Sequence, residues 1–231
     1  MADATVTSTQ RSILRPELVR VARARATMIA MADQPTQDMI ASACAALAGP
    51  RYTLLDAANH VPDCAGLYAI YGGPEAWLQL GLGQAPASTA LYVGKADDSL
   101  VTRDLQTHFR TGRTGQSTVR RSFAALLRDP LSLRGIPRNQ TRPEHLADYA
   151  LSEEHDALLT EWMTANLEIA VWPMPPDCAA LDDVEVAVLK RWSPPLNLRD
   201  NRSTWGAKVS AARKLMASDA RAWARERGHR L

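Results

Sequence analysis

Two short runs, Gly66-Leu67-Tyr68-Ala69-Ile70-Tyr71 and Ala90-Leu91-Tyr92-Val93-Gly94, are rich in aromatic and branched residues and closed by glycine, the pattern of strands rather than helices. A third run, Leu167-Glu168-Ile169-Ala170-Val171-Trp172, stops at Pro173 and reads the same way. The stretch between the first two holds Gly72-Gly73-Pro74 and Gly81-Leu82-Gly83, which read as turns in an enlarged hairpin loop. Helix punctuation surrounds these runs. Pro16 stands near the start of a helix running from Arg15, and a second helix from Thr36 is closed by Gly49-Pro50. Asp97-Asp98-Ser99 supplies candidate N-caps for a helix through Leu100, Arg103 and Phe109. Further helices are expected over Val119 to Arg128, around Glu185, and over Thr204 to Arg227.

The chain has 231 residues, 46% of them hydrophobic, which suffices for one sizeable core with an appendage rather than two full domains. No uninterrupted apolar run approaches the eighteen or so residues of a membrane span, so no membrane partner is expected. The first ten residues lack the basic start and apolar stretch of a secretory signal, which makes the cytoplasm the expected compartment. Cys44, Cys64 and Cys178 have no Cys-x-x-Cys pairing; they read as small hydrophobes, not as a disulfide framework or zinc site. No internal repeat is visible.

A net charge of +2 conceals a partition. From Arg103 to Arg142 nine arginines face Asp104 and Asp129, a balance of +7. From Arg191 to Leu231 ten bases face three acids, again +7, while Pro143 to Lys190 carries eleven acids and one base. Clustered positive charge suits a polyanion, because neutralising phosphates releases counterions. Arginine-rich solvated helix faces produce the same count. The loop Thr111 to Thr118, rich in glycine and hydroxyls and bracketed by Arg110, Arg113, Arg120 and Arg121, reads as a phosphate clamp or as a polar surface loop.

Gly66-Leu67-Tyr68, Tyr92-Val93-Gly94-Lys95, Arg103, Glu185 and, twelve positions on, Asn197 occur in an order that resembles the GIY-YIG nucleases, over roughly Ala65 to Asn201. Leucine and valine stand where the family name has isoleucine; both are ordinary strand residues. The closing element, a helix bearing Glu185 that runs through Ser193-Pro194-Pro195 to Asn197, completes the pattern. The resemblance implies an α+β fold, a small three-stranded antiparallel sheet flanked by helices, and an enzyme that hydrolyses DNA phosphodiesters, on duplex or branched DNA. It divides the chain into a helical extension over 1–60, the nuclease-like domain over 61–201 and a basic C-terminal helix over 202–231.

It also implies roles. Glu185 holds one Mg2+ or Mn2+ ion, with waters and phosphate oxygens completing the coordination; alternatively it closes a capping box begun by Asp182. Arg103 stabilises charge on the phosphate. Tyr68 and Tyr92 orient or activate the attacking water, Tyr68 being the better candidate for the base; each also reads as a core aromatic with a satisfied hydroxyl. Lys95 contacts phosphate, perturbs a tyrosine, or is simply solvated. Asn197 ties the last helix to the active-site loop through its amide. His108 follows Arg103 by five residues, which on an α-helix sets them about 140° apart. It is therefore expected to steady the helix end, bind phosphate or transfer a proton. Arg20, Arg23 and Arg25 are expected to make a scaffold or homodimer contact before a DNA contact. Trp205 and Trp223 anchor the C-terminal helix or stack on bases. Two competing readings remain: a non-catalytic nucleic-acid-binding module of the same fold, and a structural protein whose tripeptides are coincidental.

Overall fold

The structure, a computed structural model, describes residues 37–143, 145–176, 178, 181–199, 201 and 203–229, with the backbone only at 103–106. The helix expected from Arg15, with Arg20, Arg23 and Arg25, lies outside the described residues. Residues 37–47 are helical (α1), and Ala43–Leu231 form one compact unit.

Four strands make one sheet: β1 (Tyr52–Thr53), β2 (Gly66–Gly72), β3 (Tyr92–Ala96) and β4 (Leu167–Pro173), in the order β1-β4-β2-β3 with every neighbouring pair antiparallel. Three of these were legible as aromatic and branched runs. The added edge strand β1 has two residues, too few to display an alternation, and exists because Tyr52 and Thr53 pair with Ile169 and Glu168. The turn expected at Gly72-Gly73-Pro74 instead opens a short helix in the hairpin loop, α2, over Pro74–Gln79, with Pro74 in its first turn and Trp77 and Leu80 buried. Gly81 and Gly83 do turn the chain, at φ +62° and +86°.

Central β2 is buried on both sides, and strand alternation sorts its residues by face. Tyr68 and Ile70 lie on one face, beside their partners Gly94, Tyr92, Val171 and Ile169 on β3 and β4. This face joins the main core, which includes Phe123, Leu159, Met163 and Met216. Leu67, Ala69 and Tyr71 lie on the other face with Val93, Lys95 and Trp172. The Tyr71 hydroxyl donates to the Leu47 carbonyl at 2.8 Å.

The remaining helices are α3 (Thr118–Leu126), α4 (Glu153–Asn166), α5 (Leu181–Trp192) and α6 (Thr204–Glu226), besides a one-turn helix at Ala57–His60. α5 packs against β3, burying Val184 and Val188, and α6 packs on α3. Serine caps three of these helices: Ser117, Ser152 and Ser203 accept from the backbone N–H of Arg120, His155 and Gly206. Each such cap contributes about 1 kcal/mol.

Candidate active site

The pairing of Tyr68 with Gly94 creates the space in which the site forms. A Cβ added at Gly94 would collide with the Tyr68 ring end and lie 2.8 Å from Tyr92 Cε1. Glycine is therefore a packing requirement: it lets the fully buried Tyr68 phenol lie across β3. The Tyr68 and Tyr92 ring centroids are 6.0 Å apart, and the His108 ring sits 5.6 Å from the first and 6.5 Å from the second. Tyr68 Oη and His108 Nε2 share a hydrogen bond of 2.6 Å in the interior, where His108 is 2% exposed.

His108 reaches this position because Val101–His108 is a π-helix. An i→i+5 ladder sets residues five apart about one turn from each other. Positions 103 and 108 thus come to nearly the same side, whereas α-helical pitch would separate them by about 140°. Ser99 caps the first turn, accepting from Thr102 N at 3.0 Å, and the Thr107 hydroxyl donates to the Thr102 carbonyl five residues back. The Arg103 side chain lies outside the described residues.

The loop expected to clamp phosphate is instead an internal hub. A 3-10 turn over Thr114–Gln116 buries Thr114, Gly115 and Ser117. Ser117 Oγ lies 2.7 Å from His108 Nδ1 and 3.1 Å from Arg120 N, which it caps. Arg120 has no exposure; its guanidinium pairs with Asp156 and donates to Thr114 Oγ1, Thr160 Oγ1 and the His108 carbonyl, at 3.1, 2.8 and 3.1 Å respectively. Burial lowers its pKa, and Asp156 offsets part of that. Arg121 is also enclosed, bonded to the Gly115 carbonyl at 2.9 Å and to Asp148 at 3.1 Å. The expected phosphate contacts at Arg120 and Arg121 are thereby corrected: both side chains are committed inside the protein. Arg110 is exposed, and Arg113, half-buried, donates to Gln116 at 2.7 Å.

Lys95 and Asn197 have partners elsewhere. Lys95 is on the opposite sheet face from Tyr68 and pairs with Asp182 and, at 2.6 Å, with Asp97. Those two carboxylates raise its pKa, Asp182 most. Asp182 lies within the first turn of α5, which begins at Leu181, so it is not the N-cap of a box closed by Glu185. Glu185 follows one turn later on α5 and is half-buried. Asn197 does tie its segment to the sheet: Oδ1 accepts from Val93 N at 2.9 Å, Nδ2 donates to Val93 O at 2.7 Å, and Leu196 N donates to Leu91 O at 3.0 Å. The amide takes the place of a neighbouring strand along the open edge of β3. Among the described residues no three His, Cys, Asp or Glu side chains group as a metal cage.

The GIY-YIG catalytic domain family matches residues 77–219, more than half of the chain. This chain belongs to the GIY-YIG family. No curated protein and no solved structure matches it. The matched span of this GIY-YIG chain includes Tyr92-Val93-Gly94, Arg103, Glu185 and Asn197, while Gly66-Leu67-Tyr68 lies before it. Register supplies that missing link, since Tyr68 is the cross-strand partner of Gly94. The GIY-YIG family is one of nucleases, and a nucleic acid is its substrate class. Sequence reasoning missed Ser117 and the Arg120–Asp156 pair; a serine three residues before Arg120 is an N-cap signal, but nothing local points it at an imidazole.

Proposed function

We propose that this protein is a metal-dependent DNA endonuclease in which Tyr68, backed by His108, accepts the proton of the attacking water. The observation that carries this reading is the buried 2.6 Å hydrogen bond between Tyr68 Oη and His108 Nε2 beside Tyr92. Moving a phenol proton onto an imidazole in isolation is uphill by about 3.5 pKa units, roughly 5 kcal/mol. A concerted transfer avoids that cost: the water proton reaches Tyr68 as the phenol proton passes to Nε2, and no free phenolate accumulates. Tyr92 borders the water's approach. Arg103, five positions before His108 on the π-helix, is assigned to charge on the phosphate.

Glu185 is assigned to a divalent cation. One carboxylate, with waters and substrate phosphate completing the shell, suits Mg2+ or Mn2+. When bound, the ion supplies Lewis-acid polarisation of the phosphate. Asn197 holds β3 in place, Lys95 is reassigned to bracing α5, and Arg110 and Arg113 are the phosphate contacts retained from the loop. The described helices include none long and apolar enough to cross a membrane. A restriction-like or repair-related role is compatible with this site, and the cytoplasm is its proposed compartment.

The test is cleavage of mixed plasmid and genomic DNA by purified protein with Mg2+ or Mn2+, beside Glu185→Ala and an EDTA control. Cutting by the wild type alone supports the metal-dependent reading. DNA binding without cutting in any arm, on linear and branched substrates alike, transfers the conclusion to a non-catalytic binding module.

A further inference from the structure

We infer that Ser117 is a positioning residue for His108, holding the ring as its Nδ1–H tautomer so that Nε2 faces Tyr68 as a proton acceptor. This rests on the reading of Tyr68 as the base. Two tethers fix the histidine: Ser117 Oγ at 2.7 Å from Nδ1, and the Arg120 guanidinium at 3.1 Å from the His108 carbonyl. The same Arg120 presents its backbone N–H to Ser117 Oγ at 3.1 Å. The serine oxygen is therefore located by the start of a helix, and that start is locked by Arg120's buried pairing with Asp156.

A hydroxyl has two lone pairs and one proton. One lone pair receives the Arg120 N–H, which leaves the second lone pair or the O–H for Nδ1; the inferred tautomer uses the lone pair. With Nδ1 protonated, Nε2 carries the lone pair that accepts from the Tyr68 O–H. When the phenol proton reaches Nε2, the imidazolium still donates Nδ1–H to the same oxygen, so proton transfer requires no side chain to turn. The balance is simple: the Tyr68 O–H bond breaks, an Nε2–H bond forms, and Tyr68 regains a proton from water. A carboxylate at 117 would hold the ring charged and block Nε2, whereas alanine would leave a buried Nδ1 without this partner. Among the described side chains, Tyr68 from β2, Tyr92 from β3 and Arg120 from α3 face His108.

The experiment combines steady-state cleavage with 15N NMR of the histidine ring, using wild type, Ser117→Ala, Ser117→Thr, Ser117→Asp and Ser203→Ala, with His108→Gln to assign the resonance. Ser203 caps α6 in the same manner and lies outside the site, so it reports the cost of losing a cap alone. The expected result is an Nδ1–H ring in the wild type. Ser117→Ala lowers kcat about 10- to 100-fold with KM unchanged, Ser117→Thr restores it, and Ser203→Ala leaves it in place. Ser117→Asp shifts the acid limb of the pH profile upward. An Nε2–H ring in the wild type overturns the inference, as does a Ser117→Ala protein with unaltered kcat and tautomer. If Tyr68→Phe cuts normally, the base assignment fails instead, and the ring tautomer in Ser117→Ala still decides whether Ser117 holds His108.

Discussion

On the Tyr68 face of the sheet, a buried phenol and imidazole meet beside the half-buried Tyr92, held by a helix cap and a buried ion pair; on the Lys95 face, apolar side chains pack toward α5 and the lysine pairs with two exposed aspartates. One tetrapeptide, Tyr92-Val93-Gly94-Lys95, supplies both faces because strand side chains alternate. The contrast shows how burial sets the stakes. Polar groups out of water must be fully partnered, and the partners then fix their geometry, whereas an exposed pair gains little from its charges.

Removing one partner of the buried pair is the most disruptive change. Asp156→Ala strands the Arg120 charge and is expected to cost about 3–5 kcal/mol in chemical denaturation; a loss below 1 kcal/mol means that Arg120 does not anchor this face. Tyr68→Phe is expected to reduce cleavage by about 10²–10⁴-fold while DNA binding persists. Normal turnover in that variant would erase the functional difference between the faces. Gly94→Ala drives a methyl against the Tyr68 ring, at about 1–3 kcal/mol of stability and with displacement of the phenol; thermal unfolding and cleavage measured together separate the two effects.

Smaller consequences are expected at the periphery. Asn197→Ala leaves the Val93 N–H and C=O unpaired and is expected to cost about 1–3 kcal/mol, visible as faster hydrogen exchange of Val93. Unchanged exchange would show that the edge is closed by other means. Lys95→Met is expected to change stability by at most about 1 kcal/mol. Because pairing raises the Lys95 pKa in the folded state, its contribution is complete below about pH 10.4 and fades only as pH climbs beyond that toward the raised value. A loss of cleavage as deep as that of Tyr68→Phe would restore Lys95 to the chemistry.

The sequence by itself determined the three longer strands, their glycines, the helices over Val119 to Arg128 and Thr204 to Arg227, and the order of motif residues. All of these rest on short-range patterns, side-chain alternation, turn chemistry and caps, that act within a few residues. Tertiary structure decided the rest. Arg120 looks like a phosphate ligand until Asp156, 36 residues away, encloses it. Ser117 reads as part of a polar loop until a histidine nine residues back turns out to share its oxygen. The separation of Arg103 and His108 depended on whether their helix bonds at i→i+4 or i→i+5, a choice that propensity leaves open. The two-residue β1 exists only because β4 offers it an edge. Burial and long-range pairing are properties of the assembled chain, which is why local sequence identified the motif residues and the fold assigned which of them meet.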